Sequence, residues 1–311
     1  MSAAVGTPPI QFAPTASQLE MAYSVCRHIA RSSARNFYYG FAVLPRPKRN
    51  SLSAVYAFMR RCDDITDDNT LSFYDRRNKL AEWLDKVHRA LAGQPTDEPV
   101  LLALTDTQRR YQIPVGLLDQ LAYGTAADIE QEPSAAEMAS QPAIRYRTFE
   151  DLRQYCYGVA SVVGLVCIRI FGYRDPAAEG MAERCGVAFQ MTNIIRDVKE
   201  DAAMGRIYFP EEDLAQFNLT AADFAPPDPT RLRPLLALEA DRAREFYKSG
   251  EDLIPLVNED SQPGLWVLVT IYRHLLEKIA SRQYDVIKER VRLTTTEKLK
   301  ILAKGFLKRL A

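Results

Sequence analysis

The chain has 311 residues, of which 47% are hydrophobic and 26% are charged, as in ordinary globular proteins. Its 40 basic and 40 acidic residues give a formal net charge of zero, so the chain has no overall basic field of the kind that holds nucleic acid. No uninterrupted apolar run reaches the roughly 18 residues that cross a bilayer, so the sequence predicts a globular fold without a membrane-spanning segment.

Residues 1–16 contain three prolines among small residues, and we interpret them as a flexible tail. They have neither the basic start nor the apolar centre of a secretory signal. Residues 17–311 are predicted to form one all-α domain, because no sustained strand alternation interrupts the helical patterns. Helices are expected at 19–31, from about 50 onwards, and at 72–92, 97–112, 115–130, 148–171, 178–203, 232–254, 263–283 and 294–309.

Three pairs of side chains have the spacing of a helix N-terminal capping box, in which each residue bonds to the other's backbone. They are Ser17 with Glu20, Thr148 with Asp151, and Thr294 with Glu297. Five cysteines are dispersed through apolar stretches without a C-x-x-C pair, which predicts reduced, buried thiols and a cytoplasmic location. Three scattered histidines argue against a histidine-rich metal site.

Four aspartates fall within six residues at the end of the helix that begins near residue 50. Like charges one turn apart, and acids near a helix C-terminus, both oppose helix formation, so a bound cation would stabilise this segment. On a helical wheel, Asp63 lies in the apolar stripe and Asp67 at its edge, and we expect both to point inward. The alternative is a solvated acidic helix end.

A second polar row lies on the helix predicted at 178–203. Gln190, Asn193, Asp197 and Asp201 recur every three or four residues beside an apolar face. Amide and carboxylate oxygens next to an apolar surface suit a site that holds cations and an apolar molecule together, and Mg²⁺ prefers oxygen ligands. The alternative is a polar stripe that forms surface ion pairs.

The segment at 155–165 is apolar on all sides and predicts a central buried helix. Gly158, Ser161 and Gly164 recur every three residues, so they allow either close helix packing or a groove for a long apolar chain. Tyr155 carries a hydroxyl that needs a hydrogen-bond partner if it is buried.

Taken together, these segments resemble the squalene/phytoene synthase family of head-to-head prenyl transferases over residues 17–309. Residues 155–170 are similar to the family's first signature, and residues 186–210 to its second, including Arg-Asp and Arg-x-Tyr-x-Pro. Asp63-x-x-x-Asp67 and Asp197-x-x-x-Asp201 match its two aspartate-rich motifs. The resemblance implies an isoprenoid-synthase bundle of helices around a deep central cavity.

The resemblance also implies the roles of particular residues. Magnesium, with Mn²⁺ as an alternative, would be held on substrate diphosphates by Asp63, Asp67, Asn193, Asp197 and Asp201. Diphosphate oxygens would be contacted by Arg35, Asn36, Arg60, Gln190, Asn193, Tyr272 and Arg290. The substrate pocket would be lined by Phe37, Phe41, Val159, Ala160, Val163 and Gly164. Tyr155 would take the position of a tyrosine proposed to accept or donate a proton.

One stretch departs from the family pattern. Family members commonly have Ser-Lys-Ser before Phe-Tyr, whereas this chain has Ala34-Arg35-Asn36-Phe37. Arg35 can still bind phosphate bidentately and Asn36 can still donate a hydrogen bond. The hydroxyl expected at position 34 is lost or has moved to Ser33.

The implied reaction joins two farnesyl diphosphates into presqualene diphosphate, with further conversion to squalene or dehydrosqualene as an extension. Bulky Phe37 and Phe41 favour the farnesyl chain over a geranylgeranyl chain, on which a phytoene synthase would act. These products belong to hopanoid and carotenoid biosynthesis. Reduction to squalene would need NADPH, for which the sequence shows no glycine-rich fingerprint.

Other functions remain as alternatives. Chain-elongating prenyl transferases repeat D-D-x-x-D in their second motif, and terpene cyclases place Ser or Thr and then Glu where this chain has Asp197 and Asp201. An inactive scaffold partner of a true synthase would not need both aspartate pairs. The predicted partners are the prenyl diphosphates, together with downstream isoprenoid enzymes. The basic terminal helix at 298–309 indicates either a solvated surface or association with a membrane.

Overall fold

A computed structural model describes residues 14–33, 35–68, 70–130 and 142–310, with side chains described except at 35–36, 127–130 and 309–310. The predicted flexible tail lies outside these residues up to position 13, and Ala16 already begins the first helix. The fold is all-α, as predicted, and the helices enclose a central cavity.

The helices are α1 (Ala16–Ser33), α2 (Arg35–Ala42), α3 (Arg46–Thr66), α4 (Phe73–Leu91), α5 (Pro99–Tyr111), α6 (Val115–Glu130), α7 (Phe149–Cys156), α8 (Val162–Phe171), α9 (Ala177–Ala203), α10 (Glu211–Gln216), α11 (Pro229–Leu253), α12 (Gln262–Ser281) and α13 (Thr295–Leu310). A π-helical turn, Tyr157–Ser161, joins α7 to α8, and single 3₁₀ turns occupy Ala221–Asp223 and Ile254–Leu256. Two strands of two residues each, β1 (Ala143–Ile144) and β2 (Arg206–Ile207), pair in parallel and are too short to leave a periodic signal in the sequence.

The helix α9 lies at the centre and packs along α8, α11, α12 and the π-helical turn. The segment Phe149–Phe171 is apolar and long enough to cross a membrane by composition alone, but its packing against α3, α6 and α9 identifies it as a core helix. All five cysteines are buried free thiols, as predicted. Burial raises the pKa of Cys62 to about 12.

Two predicted helix starts are confirmed and one is wrong. Thr148 with Asp151 and Thr294 with Glu297 form reciprocal capping bonds. At the first helix, the capping box is formed by Thr15 and Gln18 rather than by Ser17 and Glu20. The backbone N–H of Gln18 donates to Thr15 Oγ1 at 3.2 Å. The helix therefore starts earlier than predicted, and Glu20 instead pairs with Arg27 and Arg46.

Candidate active site

An apolar cavity lies between α2, α3, α8, α9 and α12. All six side chains predicted to form the substrate pocket line it: Phe37, Phe41, Val159, Ala160, Val163 and Gly164. The space between its atoms, with its open mouth included, is about 1010 Å³. Its wall is predominantly apolar, which suits a hydrocarbon chain.

The shape of this cavity depends on small residues in the central helices. Val159 and Ala160 belong to the π-helical turn, a feature that often marks functional sites because it shifts side chains out of the regular helical register. A Cβ atom on Gly186 would lie 2.5 Å from the Cα of Ser161, and one on Gly164 would lie 2.9 Å from the carbonyl oxygen of Ala182. Close packing of the small residues is therefore confirmed, and Gly164 also belongs to the cavity wall, whereas the binding of a long apolar chain there stays a prediction.

Polar side chains enter the cavity wall at one end. Gln190 and Asn193 line it, and Asn193 Nδ2 donates to Gln190 Oε1 at 3.3 Å. Tyr272 also lines it, with its ring stacked on Phe189 at a centroid distance of 4.4 Å and in edge contact with Phe37 at 5.8 Å. Three predicted diphosphate-binding residues are therefore brought together at this end.

A second space, which we call the cationic pocket, adjoins that polar end. Its wall carries five basic side chains: Arg31, Arg196, Arg290, Arg292 and Lys298. It shares four wall residues with the apolar cavity: Phe37, Tyr56, Asn193 and Tyr272. A molecule with an apolar chain and a polyanionic head would place its chain in the cavity and its head in the pocket.

The first aspartate pair lies at the end of α3, one and two turns beyond Met59, which lines the apolar cavity. Asp63 is half-buried, and its pKa is raised to about 6, first by burial and then by repulsion from Asp67. Asp67 is exposed at the C-terminal cap of the helix, so the prediction that both carboxylates point inward is wrong for Asp67. The helix α3 ends at Thr66, so a helical wheel no longer gives the direction of the side chains that follow.

Arg60 lies one turn before this pair. Its guanidinium pairs with the exposed Asp64 at 2.5 Å, and its positive charge partly opposes the rise in the pKa of Asp63. Arg60 therefore lies close enough to Asp63 for its charge to act on that carboxylate.

The second aspartate pair extends from the polar wall of the cavity along α9. Asp197 lies one turn beyond Asn193, with 17% of its side chain exposed. It accepts hydrogen bonds from Arg196 Nε at 2.6 Å and from Arg290 Nε at 2.7 Å. Asp201 follows one turn later, and its charge stabilises the cationic form of Arg196.

Among the described residues, no group of three or more His, Cys, Asp or Glu side chains is close enough to hold a metal ion alone. Magnesium does not require such a group, because it usually keeps several waters and joins one or two carboxylates to substrate phosphates. The repulsion between Asp63 and Asp67 would be relieved by a cation. The residues therefore fit magnesium that arrives with diphosphate.

Tyr155 lies in a stack of tyrosines. Its ring centroid is 5.1 Å from that of Tyr208 and 5.4 Å from that of Tyr146. The pairing of β1 with β2 brings Tyr146 and Tyr208 together, because each follows one of the strands. The structure thus surrounds Tyr155 with phenol rings, an environment that the sequence did not indicate.

The side chains of Arg35 and Asn36, predicted to contact diphosphate, lie outside the described residues. Sequence reasoning also missed several wall residues. Tyr56 lines both spaces, and Arg292 and Lys298 lie beyond any quoted motif. For Arg196 a signal was present, since it stands beside Asp197 in the second signature.

Comparisons with known proteins show the family of the chain. The profile of the squalene/phytoene synthase family matches residues 30–297. A 15-cis-phytoene synthase of Synechococcus elongatus is 34% identical over 298 residues, covering 91% of this chain and 92% of that protein. A phytoene synthase of Mycobacterium tuberculosis is 35% identical over 292 residues, covering 92% of this chain and 91% of the relative.

Solved structures show the same architecture. A dehydrosqualene synthase in complex with a ligand superposes with a TM-score of 0.80 at 27% identity, over 93% of this chain and 96% of that one. A squalene synthase, HpnC, from Alicyclobacillus acidocaldarius superposes with a TM-score of 0.76 at 30% identity, over 87% of this chain and 97% of that one. The chain therefore belongs to the squalene/phytoene synthase family of prenyltransferase-type enzymes.

Proposed function

We propose that this protein joins two allylic prenyl diphosphates head to head, with magnesium on the diphosphate groups. The observation that carries the proposal is the junction of the apolar cavity with the cationic pocket. Asn193 and Tyr272 line both spaces, and the aspartates of α9 continue from the same wall. This arrangement offers separate environments to a hydrocarbon chain and to a diphosphate.

Binding would place the diphosphates against Gln190, Asn193, Tyr272, Arg60 and the basic residues of the cationic pocket. Asp63, Asp67, Asp197 and Asp201 would hold magnesium, which neutralises diphosphate charge when it is bound. Guanidinium groups are suited to binding the diphosphates, because their planar forks match phosphate oxygens.

The first step would break the C–O bond of one substrate, with the electron pair leaving on its diphosphate. Fixed cationic side chains stabilise the negative charge that develops on the leaving group. The allylic cation would remain in the apolar cavity, where walls such as Val163 and Phe41 keep water away from it.

The double bond of the second substrate would then attack the cation, and loss of a proton would close a cyclopropane ring. The second diphosphate stays attached, so the product is a cyclopropylcarbinyl diphosphate. A phenol has a pKa of about 10 and is a weak base at neutral pH. We therefore assign the proton to the departed diphosphate, with Tyr155 orienting it.

The preferred substrate in this proposal is farnesyl diphosphate, which would give presqualene diphosphate. Phe37 lies where the two spaces meet, and Phe41, one turn further along α2, lines the apolar cavity alone. Two phenyl rings on this wall limit the length of chain that fits. The second candidate is geranylgeranyl diphosphate, since the relatives at 34–35% identity are named phytoene synthases.

Product analysis tests both candidates. The purified protein is incubated with magnesium and either farnesyl or geranylgeranyl diphosphate, with and without NADPH, and products are identified by mass spectrometry. Presqualene diphosphate from farnesyl diphosphate supports the first candidate, and a conversion to squalene that needs NADPH extends it. Turnover of geranylgeranyl diphosphate alone would replace it with the second candidate.

Variants of the aspartates test the mechanism. Asp63→Asn and Asp197→Asn keep the side-chain volume but remove a charge, and each should lower turnover by at least about 100-fold. Asp85→Asn is the matched control, because Asp85 is exposed on α4, is paired with Arg89 and lines neither space. Unchanged turnover in Asp63→Asn and Asp197→Asn would overturn the assignment.

A further inference from the structure

The C-terminal helix α13 has two apolar faces, and the protein covers only one of them. On the inner face, Ile301 and Gly305 are buried, and a Cβ atom on Gly305 would lie 2.4 Å from Val267. On the opposite face, Leu299, Phe306 and Leu307 are 51%, 39% and 66% exposed. Together with the exposed Ala303, they form a continuous line along the helix, which we call the outer stripe.

This concentration of exposed apolar side chains is unusual for the molecule. Among the described residues, the other large exposed apolar side chains are spread over α1, α4, α6 and the turn that follows α9. Single exposed apolar residues are normal, whereas a contiguous line of them indicates an interaction surface.

Basic side chains border the outer stripe. Lys300 and Lys304 are exposed, one turn apart, on one edge of it. The only acid in the sequence of α13, Glu297, faces inward and accepts a bond from Lys278 Nζ at 2.8 Å. The outer surface of the helix therefore combines apolar and purely positive chemistry.

We propose that the outer stripe docks on an anionic lipid surface. An amphipathic helix with apolar residues flanked by lysines lies in the interfacial plane of a bilayer, where both kinds of side chain find favourable surroundings. The chemistry of a negatively charged headgroup layer above an acyl region complements both features of this helix.

The position of the helix relates membrane docking to the candidate active site. Its inner residues Lys298 and Leu302 line the cationic pocket, so the same helix carries the outer stripe and part of the wall of that pocket. Docking there would bring the cationic pocket close to the bilayer, in which prenyl chains dissolve. This relation rests on the proposed function, whereas vesicle binding itself does not.

Vesicle sedimentation of the full chain tests the proposal. The protein should sediment with vesicles made of equal parts phosphatidylcholine and phosphatidylglycerol, and added salt should weaken this binding. Phe306→Ser with Leu307→Ser should lower the partition coefficient at least about tenfold per side chain. Lys300→Gln with Lys304→Gln should lower it about fivefold per lysine on anionic vesicles, and leave binding to pure phosphatidylcholine unchanged.

Matched controls separate the outer stripe from the general surface. Met21→Ser removes a side chain that is 66% exposed on α1, and Lys86→Gln removes an exposed charge on α4. Both should bind like the unaltered protein, and equal melting temperatures should show that every variant folds. Turnover of detergent-dispersed substrate should be the same in Phe306→Ser/Leu307→Ser, so a failure of docking and a failure of catalysis are distinguishable.

Two results would overturn the proposal. One is sedimentation of Phe306→Ser/Leu307→Ser with anionic vesicles as strongly as the unaltered protein. The other is self-association in the absence of vesicles that the same substitutions abolish, which would assign the outer stripe to contact between copies of the chain.

Discussion

Arg290 donates through Nε to Oδ1 of Asp197 at 2.7 Å and so joins two segments that lie 93 positions apart. Arg196 donates to the same carboxylate from the adjacent position. The charge of Asp197 is therefore compensated by two guanidinium groups. A metal ion that binds Asp197 has to compete with them, and an arriving diphosphate can draw Arg290 away.

Arg290→Met should separate these two roles. Removing one cation beside Asp197 should tighten the binding of magnesium alone, measured by isothermal titration. Turnover should fall by about 100-fold, because a donor to the leaving diphosphate is lost. Arg282→Met is the control, since Arg282 is exposed and lies 3.5 Å from Glu289. Weaker magnesium binding in Arg290→Met would contradict the competition between Arg290 and the metal.

Asp63 makes stability depend on pH. Its pKa rises from 3.8 to about 6 on folding, so the folded state disfavours the charged carboxylate. This contribution to stability is fully present below pH 3.8 and is lost as the pH rises to about 6. At about 1.4 kcal/mol per pKa unit, the loss is at most about 3 kcal/mol.

Asp63→Asn removes that charge, so without divalent ions it should raise the free energy of unfolding at pH 7.5 by about 1–3 kcal/mol. The gain should shrink as the pH falls and vanish below pH 3.8, where Asp63 is protonated in both the folded and the unfolded protein. Denaturant unfolding at several pH values, with EDTA present, measures the difference. Asp85→Asn, at an exposed position on α4, should show little change at any pH, and a constant difference for Asp63→Asn would refute the assignment to this carboxyl group.

The sequence predicted the long helices because each carries a strong apolar period, and it predicted Thr148 and Thr294 as caps because the pattern of their partners is local. It predicted no helix at Arg35–Ala42. That segment is rich in aromatic residues, and its helix is stabilised by tertiary packing, such as the fit of Gly40 against Leu268. Propensity alone does not contain such contacts.

The site was predictable where one helix carries it. Gln190, Asn193 and Asp197 share a face of α9, so periodicity placed them correctly. Arg290 and Tyr146 reach their partners across the fold, and no local pattern encodes the contact of Tyr146 with Tyr155. Asp67 was misplaced because α3 ends one residue before it, and helix boundaries are the least reliable part of sequence analysis.

Two glycines on α9 should respond in opposite directions to alanine. At Gly186, a methyl group would meet the backbone of Ser161 at 2.5 Å, so Gly186→Ala should destabilise the protein by about 1–3 kcal/mol. At Gly180 the space is open, so Gly180→Ala should stabilise the helix by about 0.5–1 kcal/mol. Thermal and denaturant unfolding measure both. An equal gain in stability in the two variants would show that helix propensity, rather than close approach to the π-helical turn, governs Gly186.

Phe41 should limit the length of the prenyl chain. Its ring is 3% exposed and lines the apolar cavity beyond Phe37, so a smaller side chain lengthens the space available to substrate. Phe41→Leu, and more strongly Phe41→Ala, should raise the ratio of kcat/KM for geranylgeranyl diphosphate over farnesyl diphosphate by about tenfold or more, since each buried methylene contributes about 0.8 kcal/mol.

Phe41→Ala should also cost about 3–5 kcal/mol of stability, which the Phe41→Leu variant largely avoids. Phe209→Leu controls for general loosening, because Phe209 is buried against Phe224 and not in the cavity wall. An unchanged ratio in both Phe41 variants, measured by competition between the two substrates, would place the chain-length limit elsewhere in the cavity.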